Sequence, residues 1–317
     1  MNEKTIAVLP VLVKKDLQSR LPAWIEARWF ADKEEALAAV PGAAIGWLDM
    51  RTKPDMAEAV RAATDMRWLN SIYAGVDGIP LSLLKERGVV YTNGAGINAI
   101  TIAEYVVMGM LSIAKGYRQV VHGQQRHEWL AEAPGTQELY GSKALIIGYG
   151  AIGKLVEERL KPFQVEVTVV RRKDDGTGKS LRPDQWRKRL GEFDWVILAV
   201  PATPETEHMI GLAELQAMKS SAVLLNVARG SVIDQDALVD VLKAQAIGAA
   251  FLDVTTPEPL PPEHPLWTLE NAHITMHLSG RSQSQMVPRS NQRFLENLER
   301  FRTGQVLAHR VDLLLGY

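Results

Sequence analysis

"ALIIGYGAIGKLVEERL", residues 144 to 160, is the stretch that decides the fold. An apolar run leads straight into Gly148, Gly150 and Gly153, spaced G-x-G-x-x-G, and an amphipathic segment follows. Between a strand and a helix each glycine has its own reason. The first makes the tight turn, the second lets the backbone approach a pyrophosphate, and the third lets the helix pack close to the strand. The helix N-terminus adds oriented N–H groups for the phosphate charge. The stretch therefore reads as the phosphate loop of a dinucleotide-binding βαβ unit.

Working outward, further apolar runs follow in series: "VEVTVVRR", "WVILAV", "AVLLNVA", "GAAFLDV" and "AHITMHL". They are almost wholly apolar, as parallel strands covered on both faces must be. An earlier series alternates "TIAVLPVL", a helical 33 to 40, "AAIGWL", a helical 55 to 63, "MRWLNSI", a helical 80 to 87 and "GVVYTN". Strand and helix in alternation predict a second parallel sheet with helices on its faces. Residues 98 to 125 read as one long helix that bridges two domains, and the segment from 281 to 305 is helical in pattern with no place left in the second series. We expect it to return to the first domain. The expected division is 1 to 97 plus 286 to 317 for one domain and 98 to 285 for the other, with two crossings, a hinge and a cleft.

In such βαβ units a carboxylate about 20 residues beyond the glycines usually accepts hydrogen bonds from the adenosine ribose. Here "TVVRRKDD", residues 168 to 175, puts Arg171 at that point, 18 residues after Gly153, followed by Arg172 and Lys173. An arginine offers a planar fork to a 2'-phosphate and stacks on adenine. A solvated basic strand end is the plainer reading, but successive bases at this point favour NADP(H), with NAD(H) as the alternative. Arg171 and Arg172 carry the expectation; Lys173, Asp174 and Asp175 read as solvated.

The bulk numbers set bounds. At 317 residues the chain exceeds one ordinary core, which favours two domains. With 36 Lys plus Arg against 37 Asp plus Glu, the net charge of -1 gives no reason to expect nucleic acid or an anionic membrane as partner. The absence of cysteine excludes disulfides, thiolate metal sites and a cysteine nucleophile, and fits a reducing cytoplasm. The N-terminal "MNEKTIAVLPVLVKKDL" carries Glu3 before its apolar run and lysines within it, so it reads as a first strand rather than a signal peptide. The histidines are scattered and no clustered spacing suggests a metal.

From about residue 45 onward the sequence resembles the D-isomer-specific 2-hydroxyacid dehydrogenase family, which includes glyoxylate/hydroxypyruvate reductases, D-lactate dehydrogenases and phosphoglycerate dehydrogenases. The resemblance rests on "SIYAGVDGIPLSLLKERGVVYTN", "EWLAEAPGTQELYGSKALIIGYGAIG", "PATPETEHMIG", "LLNVARGSVIDQDALVDVL", "DVTTPEPLPPEHPLW" and "ITMHLSG", in that order. It implies an α/β protein of two doubly wound parallel-sheet domains, with a Rossmann-type cofactor domain inserted into a flavodoxin-like substrate domain. It also implies a catalytic set of Arg229, Glu258 and His277, each within a matching block. The chemistry of that set is intelligible. A developing alkoxide needs a proton, which a charged histidine supplies; a carboxylate beside it favours the imidazolium and fixes the ring. An arginine fork matches the 2-keto carboxylate and polarises the ketone. Taken singly, a histidine or an Arg-Gly after a strand is more often a core or surface residue, and only the three together outweigh that.

By the same resemblance, "YAGVD" grips the substrate carboxylate through backbone N–H groups at Ala74, Gly75 and Val76, although a plain strand-to-helix turn also explains Gly75. The cofactor contacts it implies are Gly148, Tyr149, Gly150, Ala151, Ile152 and Gly153 at the pyrophosphate, and Val200 and Pro201 toward the adenosine. Val227 and Ala228 precede the arginine, Asp253 and Gly280 lie toward the nicotinamide, and Ile102 packs on its face. The sequence departs from the family pattern at Met276, where proline is common, at Gln164, where glycine is common, and at Tyr73 and Arg281, which are bulkier or more charged than usual. Arg281 could face a second anionic group of the substrate, the cofactor or solvent. The expected activity is NADPH-dependent reduction of a small 2-keto acid such as glyoxylate or hydroxypyruvate to a D-2-hydroxy acid. The alternatives are NAD-dependent oxidation of a D-2-hydroxy acid and a dinucleotide-sensing, corepressor-like binding protein. A homodimer, formed through 98 to 125 and the region of Trp129, is the family expectation.

Overall fold

The structure is a computed structural model, and it describes residues 4 to 171, 180 to 281 and 284 to 316. Two compact units divide the chain: Met1–Asn98 with Ser282–Tyr317, and Ala99–Arg281. Unit one runs β1 (Thr5–Pro10), α1 (Val11–Leu17), β2 (Ile25–Phe30), α2 (Lys33–Ala39), β3 (Ile45–Trp47), α3 (Lys53–Ala62), β4 (Trp68–Asn70), α4 (Leu81–Glu86) and β5 (Val90–Thr92). Its five strands are all parallel, in the order β2-β1-β3-β4-β5, the flavodoxin-like arrangement.

Unit two carries α5 (Ala99–Ala114), α6 (Tyr117–Gln125), β6 (Lys143–Ile147), α7 (Ala151–Leu160), β7 (Glu166–Val170), β8 (Ser180–Leu181), β9 (Trp195–Leu198), α8 (Leu212–Ala217), β10 (Val223–Asn226), α9 (Gln235–Lys243), β11 (Ala249–Leu252) and β12 (Ala272–Ile274). The order β12-β11-β10-β9-β6-β7-β8, parallel throughout, is that of a Rossmann sheet with one added strand. The chain builds away from β6 in one direction and then returns to its other side at β9. The crevice at the strands' C-terminal ends beside that switch point is where such sheets bind ligands.

Alternation along each strand explains why both faces are covered. In unit one Ala7 and Leu9 enter one core with Trp47 and Trp68, while Val8, Leu48 and Leu69 enter the other. The final helix, α10 (Met286–Arg302), puts Phe294 and Leu298 into the first of these cores, with the Phe294 ring 5.0 Å from both Trp47 and Trp68. Unit two repeats the scheme: Leu145, Ile147, Val196 and Leu198 face one way, and Ala144, Ile146, Trp195 and Ile197 the other.

Several sequence expectations need correction. "TIAVLPVL" is not one strand, because the chain turns into α1 directly after Pro10. Strand β2, "IEARWF", lacks the apolar run of the other strands because it is an edge strand, where Glu26 and Arg28 are tolerated in the half-exposed row. The helix expected over 98 to 125 breaks at Gly116, whose φ of +57° ends α5, and α6 leaves at 69°. The apolar pattern continues on both sides of that glycine, which is why periodicity alone missed the bend. Strand β8, at two residues, is too short to carry a periodicity. Among the described residues no single helix is long and apolar enough to cross a membrane, although α5 and α6 taken together pass that test of length and composition.

Candidate active site

At the end of β6 the three glycines meet the three demands read from their spacing. Gly148 has φ +100°, and a Cβ there would stand 2.5 Å from the Ala199 carbonyl oxygen. A Cβ on Gly153 would collide with the Gly148 carbonyl, so the third glycine sets the helix-to-strand approach. A Cβ on Gly150 would meet nothing within 4 Å, so this position is open rather than packed. Gly150 caps α7, and the N–H groups of Ala151, Ile152 and Gly153 have no intrahelical acceptor. An open, side-chain-free position beside unpaired N–H donors fits a pyrophosphate.

Beside this loop, at the end of β7, the Arg171 guanidinium lies 5.7 Å from the centre of the Tyr149 ring, whose hydroxyl hydrogen-bonds Glu157. Arg171 is thus held next to the glycine turn on the side where β7 follows β6. Arg172, with Lys173, Asp174 and Asp175, lies outside the described residues. Across the switch point, Val200 is half-buried and Pro201 exposed just after β9. Upstream, the turn between α7 and β7 keeps the left-handed conformation a glycine takes freely. Gln164 holds it at φ +53°, at a cost of about 1 kcal/mol.

The ends of β10, β11 and β12 supply the second group. After β10, Val227 and Ala228 are buried, and Arg229 is half-buried with its Nη1 donating to the Ala228 carbonyl at 2.8 Å. Asn226 braces this turn: its Nδ2 donates to the Arg229 carbonyl (2.9 Å) and its Oδ1 accepts from the Ala228 N–H (3.0 Å). After β11, Glu258 Oε1 accepts from the Thr255 N–H at 3.1 Å, and its Oε2 stands 2.8 Å from His277 Nδ1. That contact fixes the imidazole plane and leaves Nε2 as its other nitrogen. The His277 side chain is 45% exposed and that of Glu258 38%, so the pair is open to a reactant.

Behind His277 lies Asp253, only 2% exposed. Its Oδ1 accepts from Thr275 Oγ1 (2.7 Å) and from the N–H groups of Leu278 and Ser279 (3.1 Å each), its Oδ2 accepts from the Ser279 hydroxyl, and its carbonyl accepts the His277 N–H. The carboxylate therefore grips the loop on both sides of the histidine. Within that grip Met276 and His277 have φ of +51° and +56°. Proline, fixed near −65°, has no place at 276 in this conformation. The hydrogen bonds of Asp253, rather than a proline ring, hold this strand exit. Gly280 follows, half-buried.

In unit one, Ala74 is exposed and Gly75 and Val76 are half-buried, following β4. None of their three N–H groups has a hydrogen-bond acceptor among the described residues. Ile102 is half-buried on α5, packed against unit two's core. Among the described residues no group of three His, Asp or Glu could hold a metal.

A family model, D-isomer specific 2-hydroxyacid dehydrogenase, NAD binding domain, matches residues 107 to 279. The chain belongs to this family. It is therefore an oxidoreductase with a nicotinamide-dinucleotide domain, whose relatives act on small 2-keto and 2-hydroxy acids. The dehydrogenase is 33% identical over 272 residues to a glyoxylate reductase of Korarchaeum cryptofilum, covering 84% of this chain and 82% of that one. Its fold matches a D-isomer specific 2-hydroxyacid dehydrogenase family protein from Aeromonas salmonicida with a TM-score of 0.84 and 28% identity, over 98% and 100% of the two chains. An NADPH-dependent glyoxylate/hydroxypyruvate reductase from Sinorhizobium meliloti, solved with NADP and sulfate, is alike in fold with a TM-score of 0.81 at 22% identity, over 99% and 100%.

Sequence reasoning missed the bracing residues. Asn226 has a faint signal, an amide three residues before the arginine. Thr275 and Ser279 have none, because an isolated hydroxyl near a histidine is common.

Proposed function

We propose that this dehydrogenase reduces small 2-keto acids of the glyoxylate or hydroxypyruvate type to D-2-hydroxy acids with NADPH. The observation that carries the reading is the Glu258 to His277 contact at 2.8 Å, made by the residues that follow β11 and β12 of a Rossmann sheet whose neighbouring strand β10 leads into a half-buried arginine. His277 is the acid: it delivers a proton from Nε2 to the oxygen of the reduced carbonyl. Glu258 holds the ring in the orientation that this transfer needs. Arg229 takes the substrate carboxylate and draws electron density from the ketone. The bound dinucleotide supplies the hydride from C4 of its nicotinamide.

The residues that hold the dinucleotide are Gly148, Tyr149, Gly150, Ala151, Ile152 and Gly153 at the pyrophosphate and Arg171 at the 2'-phosphate. Val200, Pro201, Val227, Ala228, Asp253 and Gly280 line its length. The preference for NADP(H) rests on Arg171 standing where a ribose-binding carboxylate would otherwise be, beside the ring of Tyr149. In unit one, Ala74, Gly75 and Val76 offer backbone N–H groups to the substrate carboxylate. A homodimer is the assembly we propose, with Trp129, 98% exposed, at its interface; sedimentation of the pure protein checks it.

Steady-state turnover of glyoxylate, hydroxypyruvate, pyruvate and phenylpyruvate, each with NADPH and NADH, tests the proposal. We expect kcat/KM to be highest for one of the two smaller polar acids with NADPH. Equal or NADH-favouring values overturn the cofactor assignment, and absence of turnover with the whole panel overturns the reductase assignment.

A further inference from the structure

Three strands of unit one end side by side, and a buried carboxylate stands among their ends. Asp49 lies two residues past β3, Ser71 and Ile72 directly follow β4, and Asn93 directly follows β5. Parallel pairing of Trp47 with Asn70 and of Asn70 with Thr92 brings these ends together. Asp49 is only 9% exposed. A lone aspartate in such a place is costly unless its oxygens are filled. Here they are: Oδ2 accepts from Trp47 Nε1 (2.8 Å) and from the Ile72 N–H (2.6 Å), and Oδ1 accepts from Ser71 Oγ (2.6 Å). Burial pushes this carboxyl above the ordinary carboxylate range, and the three donors oppose that push.

The restraint continues outward into the next residues. Ser71 Oγ accepts the Tyr73 N–H (3.1 Å), the Gly94 N–H donates to the Tyr73 carbonyl (2.8 Å), and Asn93 Nδ2 donates to the Ala74 carbonyl (2.7 Å). A Cβ on Gly94 would collide with the Ile72 carbonyl, so the two loops lie in direct contact. Every one of these bonds stops at Ala74. The N–H groups of Ala74, Gly75 and Val76 are left without an acceptor among the described residues. Backbone N–H groups without a protein acceptor, on a segment restrained in this way, are free to donate to an anionic group.

We propose that Asp49 is a positioning residue for substrate. Its buried carboxylate, acting through Ile72 and Ser71, fixes the backbone so that the N–H groups of Ala74, Gly75 and Val76 present themselves to the carboxylate of a 2-keto acid. This rests on the reading of the protein as a 2-keto acid reductase. Asp49 touches no substrate itself; its effect is on binding of a group that does not react. Loss of such uniform binding raises KM and leaves kcat in place.

The test is steady-state kinetics of Asp49→Asn and Ser71→Ala with the best 2-keto acid, alongside NADPH affinity and the thermal midpoint of each variant. Asparagine keeps the volume but turns one acceptor oxygen into a donor facing donors. Serine removal severs the bonds from Asp49 Oδ1 and from the Tyr73 N–H. We expect KM for the 2-keto acid to rise roughly tenfold or more in each, since one hydrogen bond is worth about that factor. The expected kcat stays within about twofold and the NADPH affinity is unchanged. An unchanged KM in a folded variant overturns the inference, as does a fall in kcat with KM unchanged. Should Asp49→Asn fail to fold, Ser71→Ala decides alone. A wild-type protein that turns over no 2-keto acid defeats the underlying reading instead, a result seen before any variant is made.

Discussion

Replacing Gly150 by alanine separates a binding glycine from a folding one. At φ −85° and ψ −155° its backbone is one that alanine adopts, and the new methyl would meet nothing within 4 Å. The cost to the fold is that of a poorer helix cap, about 1 kcal/mol, or a fall in Tm of no more than about 4 °C. The cost to NADPH is larger, because the methyl would stand where the pyrophosphate has to approach the α7 N–H groups. Losing two charge-assisted bonds at about 1.5 kcal/mol each removes about 3 kcal/mol, a rise in Kd of roughly 150-fold. Gly153→Ala is the contrasting variant, since its methyl collides with the Gly148 carbonyl and lowers stability by about 2 kcal/mol or more. Calorimetric titration with NADPH and thermal melts of the unliganded proteins give both quantities. Wild-type affinity in Gly150→Ala would refute the phosphate-loop reasoning, and so would a Tm loss equal to that of Gly153→Ala.

Arg171→Ala is expected to raise KM for NADPH between about 10-fold and 100-fold, the worth of a charged hydrogen bond, while NADH kinetics stay near wild type. Equal losses with both cofactors would assign Arg171 to packing against Tyr149 rather than to the 2'-phosphate. His273, on β12, has its pKa lowered to about 4 by burial and then by the Arg118 guanidinium. As its folded value lies below the unfolded 6.5, the neutral ring contributes stability in full above pH 6.5, and this is lost as pH falls toward 4. The loss amounts to about 3 kcal/mol, and urea unfolding at a series of pH values should show it in the wild type and not in His273→Gln. A variant with the same acid slope would clear His273 of the effect.

What the sequence disclosed follows from where the physics is local. Gly148, Gly150 and Gly153 are required by turn, approach and packing within one short segment, so their spacing was legible, and the fully apolar strands told of a sheet covered on both faces. Strand β2 hid because Glu26 and Arg28 suit an edge, and the bend at Gly116 hid because the apolar pattern runs through it. Glu258 and His277 are 19 residues apart in the chain, and apart from the family resemblance only the fold, which sets them 2.8 Å apart, joins them. Asp49 and Asp253 were illegible as braces, since an aspartate after a strand is commonly solvated. Their partners at 71, 72, 275, 278 and 279 come together through sheet register, not sequence spacing.

The most direct test of the account is the turnover of His277→Ala with the best 2-keto acid, measured together with its affinity for NADPH. We expect kcat to fall by at least about 100-fold, the lower end for removal of a general acid, with the NADPH Kd within about twofold of wild type. Near-normal turnover would contradict the assignment of His277 as the acid.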